Sequence, residues 1–212
     1  MKINEYKKYF FLFYILLTSN GFWSCQSNSD NHFRRDQKVG KENNYSGNKS
    51  DKNSNYTRLD TAITANHPDH DFVHFMISQH NMAINLANEE IKNGQNKALK
   101  EVANHIINHH SEEKTFLDKA AARIDKEKED ERVASVLHQK LKMGIDAMSK
   151  QLKAVEQIES LDAKFKAQII INHQTSIDVA EAYLRFGLDP ELKNYAGRLI
   201  KDHSAEIMQL QK

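Results

Sequence analysis

The chain has 212 residues, with 30 Lys and Arg against 29 Asp and Glu, so it is near neutral and offers no electrostatic footprint for nucleic acid. Only 7 Gly and 2 Pro argue against a β-sandwich or a loop-rich fold, and a single Cys excludes an intramolecular disulfide framework. Histidine is the outlier, with 11 copies of which 10 lie after residue 66.

Residues 1–25 read as a targeting segment. Lys2, Lys7 and Lys8 precede an apolar run of nine, Tyr9–Leu17, which is too short to span a bilayer as a mature helix but suits the core of a signal peptide. Ser24 before Cys25 resembles a bacterial lipoprotein signal, in which the cysteine is acylated and becomes the new N-terminus. Phe22 and Trp23 depart from the usual pattern there, and an ordinary secretory peptide is the alternative. Residues 26–65 are rich in Asn, Ser, Lys and Asp and cannot bury enough apolar surface to offset chain entropy. They read as a tether. The expectation is a protein of the bacterial cell envelope, lipid-anchored to a membrane through Cys25 and facing the periplasm or the cell exterior.

From residue 66 the pattern is helical and duplicated. Asp69–Lys119 aligns with Asp162–Lys212 at an offset of 93 without a gap, and 16 of the 51 pairs are identical. In the first arm Val73, Ile77, Ile84, Ala87 and Ile91 recur at helical spacing, with His80 filling the gap. In the second arm Leu99, Ala103, Ile106 and Leu117 do the same, with His110 and Glu113 in the gap. Gly94 and Gly187 suit a left-handed position after each first helix. Asp189 reads as an N-cap before Pro190. Between the repeats, 129–159 is helical in pattern (Val133, Val136, Leu137, Leu141, Ile145, Met148, Leu152, Val155) and long enough to run back along the bundle. The fold class is therefore all-α: a four-helix bundle of two duplicated hairpins, about 66–120 and 160–212, joined by a crossover helix.

The register places the chemistry. His80 and His110 each lie fifteen residues from residue 95 in the first turn, and His173 and His203 lie fifteen from residue 188 in the second. At helical rise all four fall at one height, ~22 Å from the turns. Glu113 and Glu206 stand one turn further along the same faces. Four imidazoles and two carboxylates in a bundle core invite a transition metal, with Cu, Zn or Fe as candidates. A self-satisfied structural layer is the competing reading, since buried polar groups must be hydrogen-bonded. A second group, His67, His70 and His74, opens the first helix, and His105 and His109 repeat the i,i+4 spacing in the next. These residues read as a solvated face or as open, weak metal sites. The chain contains no Gly-rich phosphate loop, nucleophile elbow or Cys-based zinc pattern.

The segments "HPDHDFVHFMISQHNMAINLA" and "INHQTSIDVAEAYLRFGLDPELKNYAGRLIKDHSAEI" resemble the two arms of the family known as domain of unknown function 305. Its pattern runs Asp–x–x–Phe, then Met–Ile–x–His–His–x–x–Ala–Ile–x–Met–Ala, a turn with Asp–Pro–Glu–Leu, and Gln–x–x–Glu–Ile. The related domain of unknown function 4142 is the alternative label. The resemblance implies a ferritin-like bundle, usually exported, some of whose members bind copper through His and Met. By position, His80 and His173 match the second His of the family pair, and Glu113 and Glu206 match its Glu. The departures are Gln79 and Asn172 at the first His, His110 and His203 at the Gln, and Leu86 and Val179 at the Met, while Met76 and Met82 remain. With so few thioethers, a His/Glu site suits Cu(II), Zn or Fe better than Cu(I).

Function is therefore expected to be metal binding through His80, His110, Glu113, His173, His203 and Glu206, as a sink or carrier and not an enzyme. A non-catalytic envelope-stress or interaction module is the rival. Two carboxylates are few for a ferritin-like di-metal oxidase. No protein partner is indicated.

Overall fold

The computed structural model describes residues 67–126 and 131–212, with side chains from residue 136 onward in the latter segment. The expected signal segment, the tether and Cys25 lie outside the described residues. Five helices follow one another: α1 (Pro68–Asn93), α2 (Lys97–Ile124), α3 (Glu131–Val155), α4 (Leu161–Phe186) and α5 (Pro190–Leu210). Among the described residues no helix is long and apolar enough to cross a membrane.

Polar side chains mark where these helices begin. Asn96 Oδ1 accepts from the Leu99 amide, Ser160 Oγ from Ala163 and Asp189 Oδ1 from Leu192, each satisfying an amide that the first turn leaves without an intrahelical partner. Both prolines of the chain, Pro68 and Pro190, occupy first helical positions, where a missing N–H costs nothing.

The expected left-handed glycines are not found. Gly94 and Gly187 have φ of −65° and −68° and are extended. Space, not handedness, demands glycine at both. A Cβ at 94 would stand 2.2 Å from Glu90 Oε1, and one at 187 would stand 2.3 Å from the Tyr183 ring.

The two hairpins are tied to each other symmetrically. Asp69, at the start of α1, accepts from the amides of Leu188 (2.8 Å) and Asp189 (3.2 Å) in the second turn and from the Tyr183 hydroxyl. Asp162, its counterpart at the start of α4, accepts from the amides of Gln95 (2.8 Å) and Asn96 (3.4 Å) in the first turn. Helices α1 and α4 therefore run antiparallel, each beginning beside the turn that the other hairpin makes. Helix α3 packs on α4 and α1 through Leu137, Leu141, Ile145, Met148 and Leu152. Val136, expected in this apolar stripe, is exposed instead.

The first-arm stripe also differs from expectation. Phe72, Phe75, Met76, Met82 and Ala83 are buried, while Ile77, Ile84 and Ile91 are only half-buried. Because α1 is packed against α2, α3 and α4, its buried arc is wider than a single i, i+3, i+4 stripe reveals.

Two apolar clusters result. One gathers Phe72, Met76, Leu117, Val179, Tyr183, Leu192 and Leu199 with the apolar face of α3. The other holds Ala83, Ala87, Leu99, Ile106, Phe165, Ile169 and Leu210. Along every one of α1, α2, α4 and α5 a histidine lies between a residue of one cluster and a residue of the other. The histidine layer is what separates them.

Candidate metal centre

His80, His110, His173 and His203 are all fully buried, midway along their helices. Their rings are in mutual contact. Ring centroids lie 4.7 Å apart for His80–His110, 5.1 Å for His110–His173 and His110–His203, and 4.2 Å for His173–His203. The shared height expected from the hairpin register is the height at which the structure brings them together.

The glutamates complete two related groups. His80 Nε2 lies 2.9 Å from Glu113 Oε2, and its counterpart His173 Nε2 lies 2.6 Å from Glu206 Oε2. Glu206 Oε2 also receives His110 Nε2 at 3.2 Å, and Glu206 Oε1 receives His109 Nδ1 at 3.3 Å. Two sets of four donor atoms follow, each within 4.8 Å of one another: His80, His110, Glu113 and His203, and His110, His173, His203 and Glu206. Either set could hold a metal ion.

Electrostatics favour neutral imidazoles at His110 and His203 beside ionised carboxylates. Burial pushes His110 down to about 4, helped by the neighbouring His80 and His173 and opposed by its bond to Glu206. Burial and the three surrounding histidines hold His203 well below the ordinary range. For Glu206 burial pulls upward, but the hydrogen bonds from His109, His110 and His173 outweigh it and keep the carboxylate below its usual value. Glu113 is lowered in the same way, the His80 bond outweighing burial. Neutral nitrogens with a free lone pair and ionised oxygens are the protonation states that ligate metals.

The layer does not satisfy itself. Neither nitrogen of His203 has a hydrogen-bond partner, and Nδ1 of His80 and of His110 has none. A buried polar atom left without a partner costs about 1–3 kcal/mol. An ion bound at the lone pair of His203 would relieve part of that cost, so the donor set fits a metal on its own geometry.

Asn172 and Gln79 meet where the two repeats face each other. Asn172 Nδ2 donates to Gln79 Oε1 (2.7 Å) and to the Gln79 carbonyl (3.2 Å), which fixes the amide so that Asn172 Oδ1 accepts from His173 Nδ1 at 3.1 Å. That bond holds the ring with Nε2 directed at Glu206. An outer partner of this kind typically orients a metal-binding histidine. Tyr195 places its hydroxyl 3.0 Å from His80 Nε2 on the other side, with its phenol pushed well above its usual value by burial and then by Glu113.

The remaining sequence candidates separate into three places. His67 caps α1, its Nδ1 accepting from the His70 amide at 3.4 Å. His70 and His74 meet Asp125 at the end of α2. His105 is exposed and stacks on His109 at 5.7 Å, and His109 in turn contacts Glu206. His109 is raised to about 9 by that bond, against burial, with Glu113 and Asp202 adding to the rise. The sequence reading missed Tyr195, Asp125, Asp202 and the positioning by Asn172. None belongs to a repeated motif, and each acts across a helix–helix contact that spacing does not encode.

The family described as domain of unknown function 305 matches residues 21–121 and 114–212. No curated protein matches. Among solved structures, CopM in the Cu(I)-bound form is 23% identical with a TM-score of 0.52, covering 68% of this chain and 92% of CopM. CopM in the Cu(II)-bound form is 22% identical, with a TM-score of 0.50, and covers 68% of this chain and 93% of CopM. CopM soaked with Ag gives a TM-score of 0.51 at 22% identity and 68% and 92% coverage. At these identities the likeness is one of fold.

Proposed function

We propose a metal-binding role from one premise: the chain belongs to the family described as domain of unknown function 305. The layer of His80, His110, Glu113, His173, His203 and Glu206 takes a transition-metal ion, copper or one of similar preference, and the protein is a sink or carrier, not a catalyst. It works at a bacterial envelope membrane, held there by a lipid on Cys25.

The observation that carries this reading is His203, fully buried with both ring nitrogens unpartnered at the meeting point of two donor sets. A leucine there would fold at less cost, so the imidazole is better explained by a ligand that engages it. CopM, similar in fold, is known in forms with Cu(I), Cu(II) and Ag. In this chain the layer itself offers imidazole nitrogen and carboxylate oxygen. That set suits Cu(II) or Zn above Cu(I).

The test is metal content and thermal melting of the purified full chain with and without added Cu(II) and Zn(II). Tight binding with a raised Tm is expected, because a ligand stabilises only the state that holds it. His203→Leu is expected to abolish both while the helical circular dichroism persists. The double substitution of His80 and His173 by Ala is expected to do the same. Absence of tight binding in the wild type, with no shift in Tm, overturns the proposal.

One observation favours a structural layer instead: Glu206 already accepts from three imidazoles. That reading requires the substitutions to lower Tm and added metal to change nothing.

A further inference from the structure

We propose a second, solvent-facing metal site formed by His70, His74 and Asp125, which takes a divalent ion of Cu(II) type. His70 and His74 are i,i+4 on α1, with ring centroids 4.3 Å apart. Asp125, the C-cap of α2, places Oδ1 2.9 Å from His74 Nε2 and 3.7 Å from His70 Nε2. All three donor atoms lie within 4.8 Å of one another. The group is independent of the core layer, since His74 and His80 are six residues apart, ~9 Å along the helix axis.

A half-exposed His–Asp contact contributes little to stability by itself. What distinguishes this one is its outer support. Asp71 is fully buried, and its Oδ1 lies 3.3 Å from His70 Nδ1. That contact orients the ring with Nε2 toward Asp125. His138 of α3 brings Nδ1 to 3.6 Å from the other Asp71 oxygen, a close approach from a third helix without a hydrogen bond. A buried carboxylate behind a histidine, fixing its tautomer and orientation, is the arrangement that supports metal ligands. Two imidazoles and a carboxylate, open to water on the exposed side, give the mixed N/O set that suits Cu(II). His70 and His74 pair with Ala163 and Ala167 in the repeat alignment, so the second repeat does not carry this pair of histidines.

Cu(II) titration of the full chain followed by electron paramagnetic resonance tests the assignment. One class of Cu(II) with coupling to two nitrogens is expected. His74→Ala at a half-buried position and Asp125→Asn at an exposed one should each weaken that class by at least the ~10–100-fold typical of losing an outer partner, and leave any core-bound class unchanged. Unchanged stoichiometry and spectra in both variants overturn the site. The result does not depend on the core layer. If the layer binds nothing, this class is still present in the wild type and still lost in the variants.

Discussion

Asn172 shows how one residue decides what a histidine can do. Its amide is locked by two bonds to Gln79, and only then can its oxygen hold His173 Nδ1. Asn172→Ala frees the ring without removing a ligand. Metal affinity is expected to fall ~10–100-fold, with helicity unchanged, as isothermal titration with Cu(II) or Zn(II) would measure. Equal affinity would mean that His173 is oriented by Glu206 alone. In the sequence Asn172 registers only as a departure from the family's paired histidines. That a substituted position supports its neighbour is visible only once Gln79 of the other repeat stands against it.

At the scale of elements, the turns are where duplication and packing meet. The repeat alignment pairs Asp69 with Asp162, and the structure gives both the same task on opposite turns. It also pairs Tyr183 with Glu90, two unlike residues that fill the space beneath each turn glycine. Burial, with Asp162 beside it, pushes the Glu90 carboxyl up to about 7. The Tyr183 ring is pinned by stacking on Phe72 at 3.8 Å and by its bond to Asp69. It cannot retreat from a new methyl group. Gly187→Ala is therefore expected to cost about 1–3 kcal/mol in denaturant unfolding, the range for overpacking a filled site. A neutral result would show that the turn can shift as a unit. Helical periodicity and cap residues made the hairpins legible in the sequence, together with the height of the histidines. The cause of the two glycines was not, because it depends on side chains four residues earlier that fold back beneath them.

For the molecule as a whole, the histidine layer links stability to pH. His110 stays neutral in the fold down to about 4, whereas in the unfolded chain it takes up a proton near 6.5. Stability is therefore lost as pH falls from 6.5 toward 4, and His203 acts in the same direction. Glu113 and Glu206, held below their unfolded value of 4.5, contribute stability above it and add a further loss as pH falls below it. His109 has the opposite sign. Its folded value of about 9 contributes stability that is complete below 6.5 and lost as pH rises through 9. Metal-free protein is expected to show its highest Tm near neutrality, with an acid decline that begins at histidine and not carboxylate pH. A Tm flat from pH 7 to pH 5 would contradict the neutral, buried state of His110. The layer's two donor sets have one more consequence. They share His110 and His203, and the lone pair of each neutral ring can serve only one ion at a time. If the layer binds metal as proposed, duplication doubled the residues without doubling the capacity. In the proposed role, the two sets are two-fold-related resting places for a single ion, which would step between them by exchanging one histidine and one glutamate while keeping hold of the other two rings.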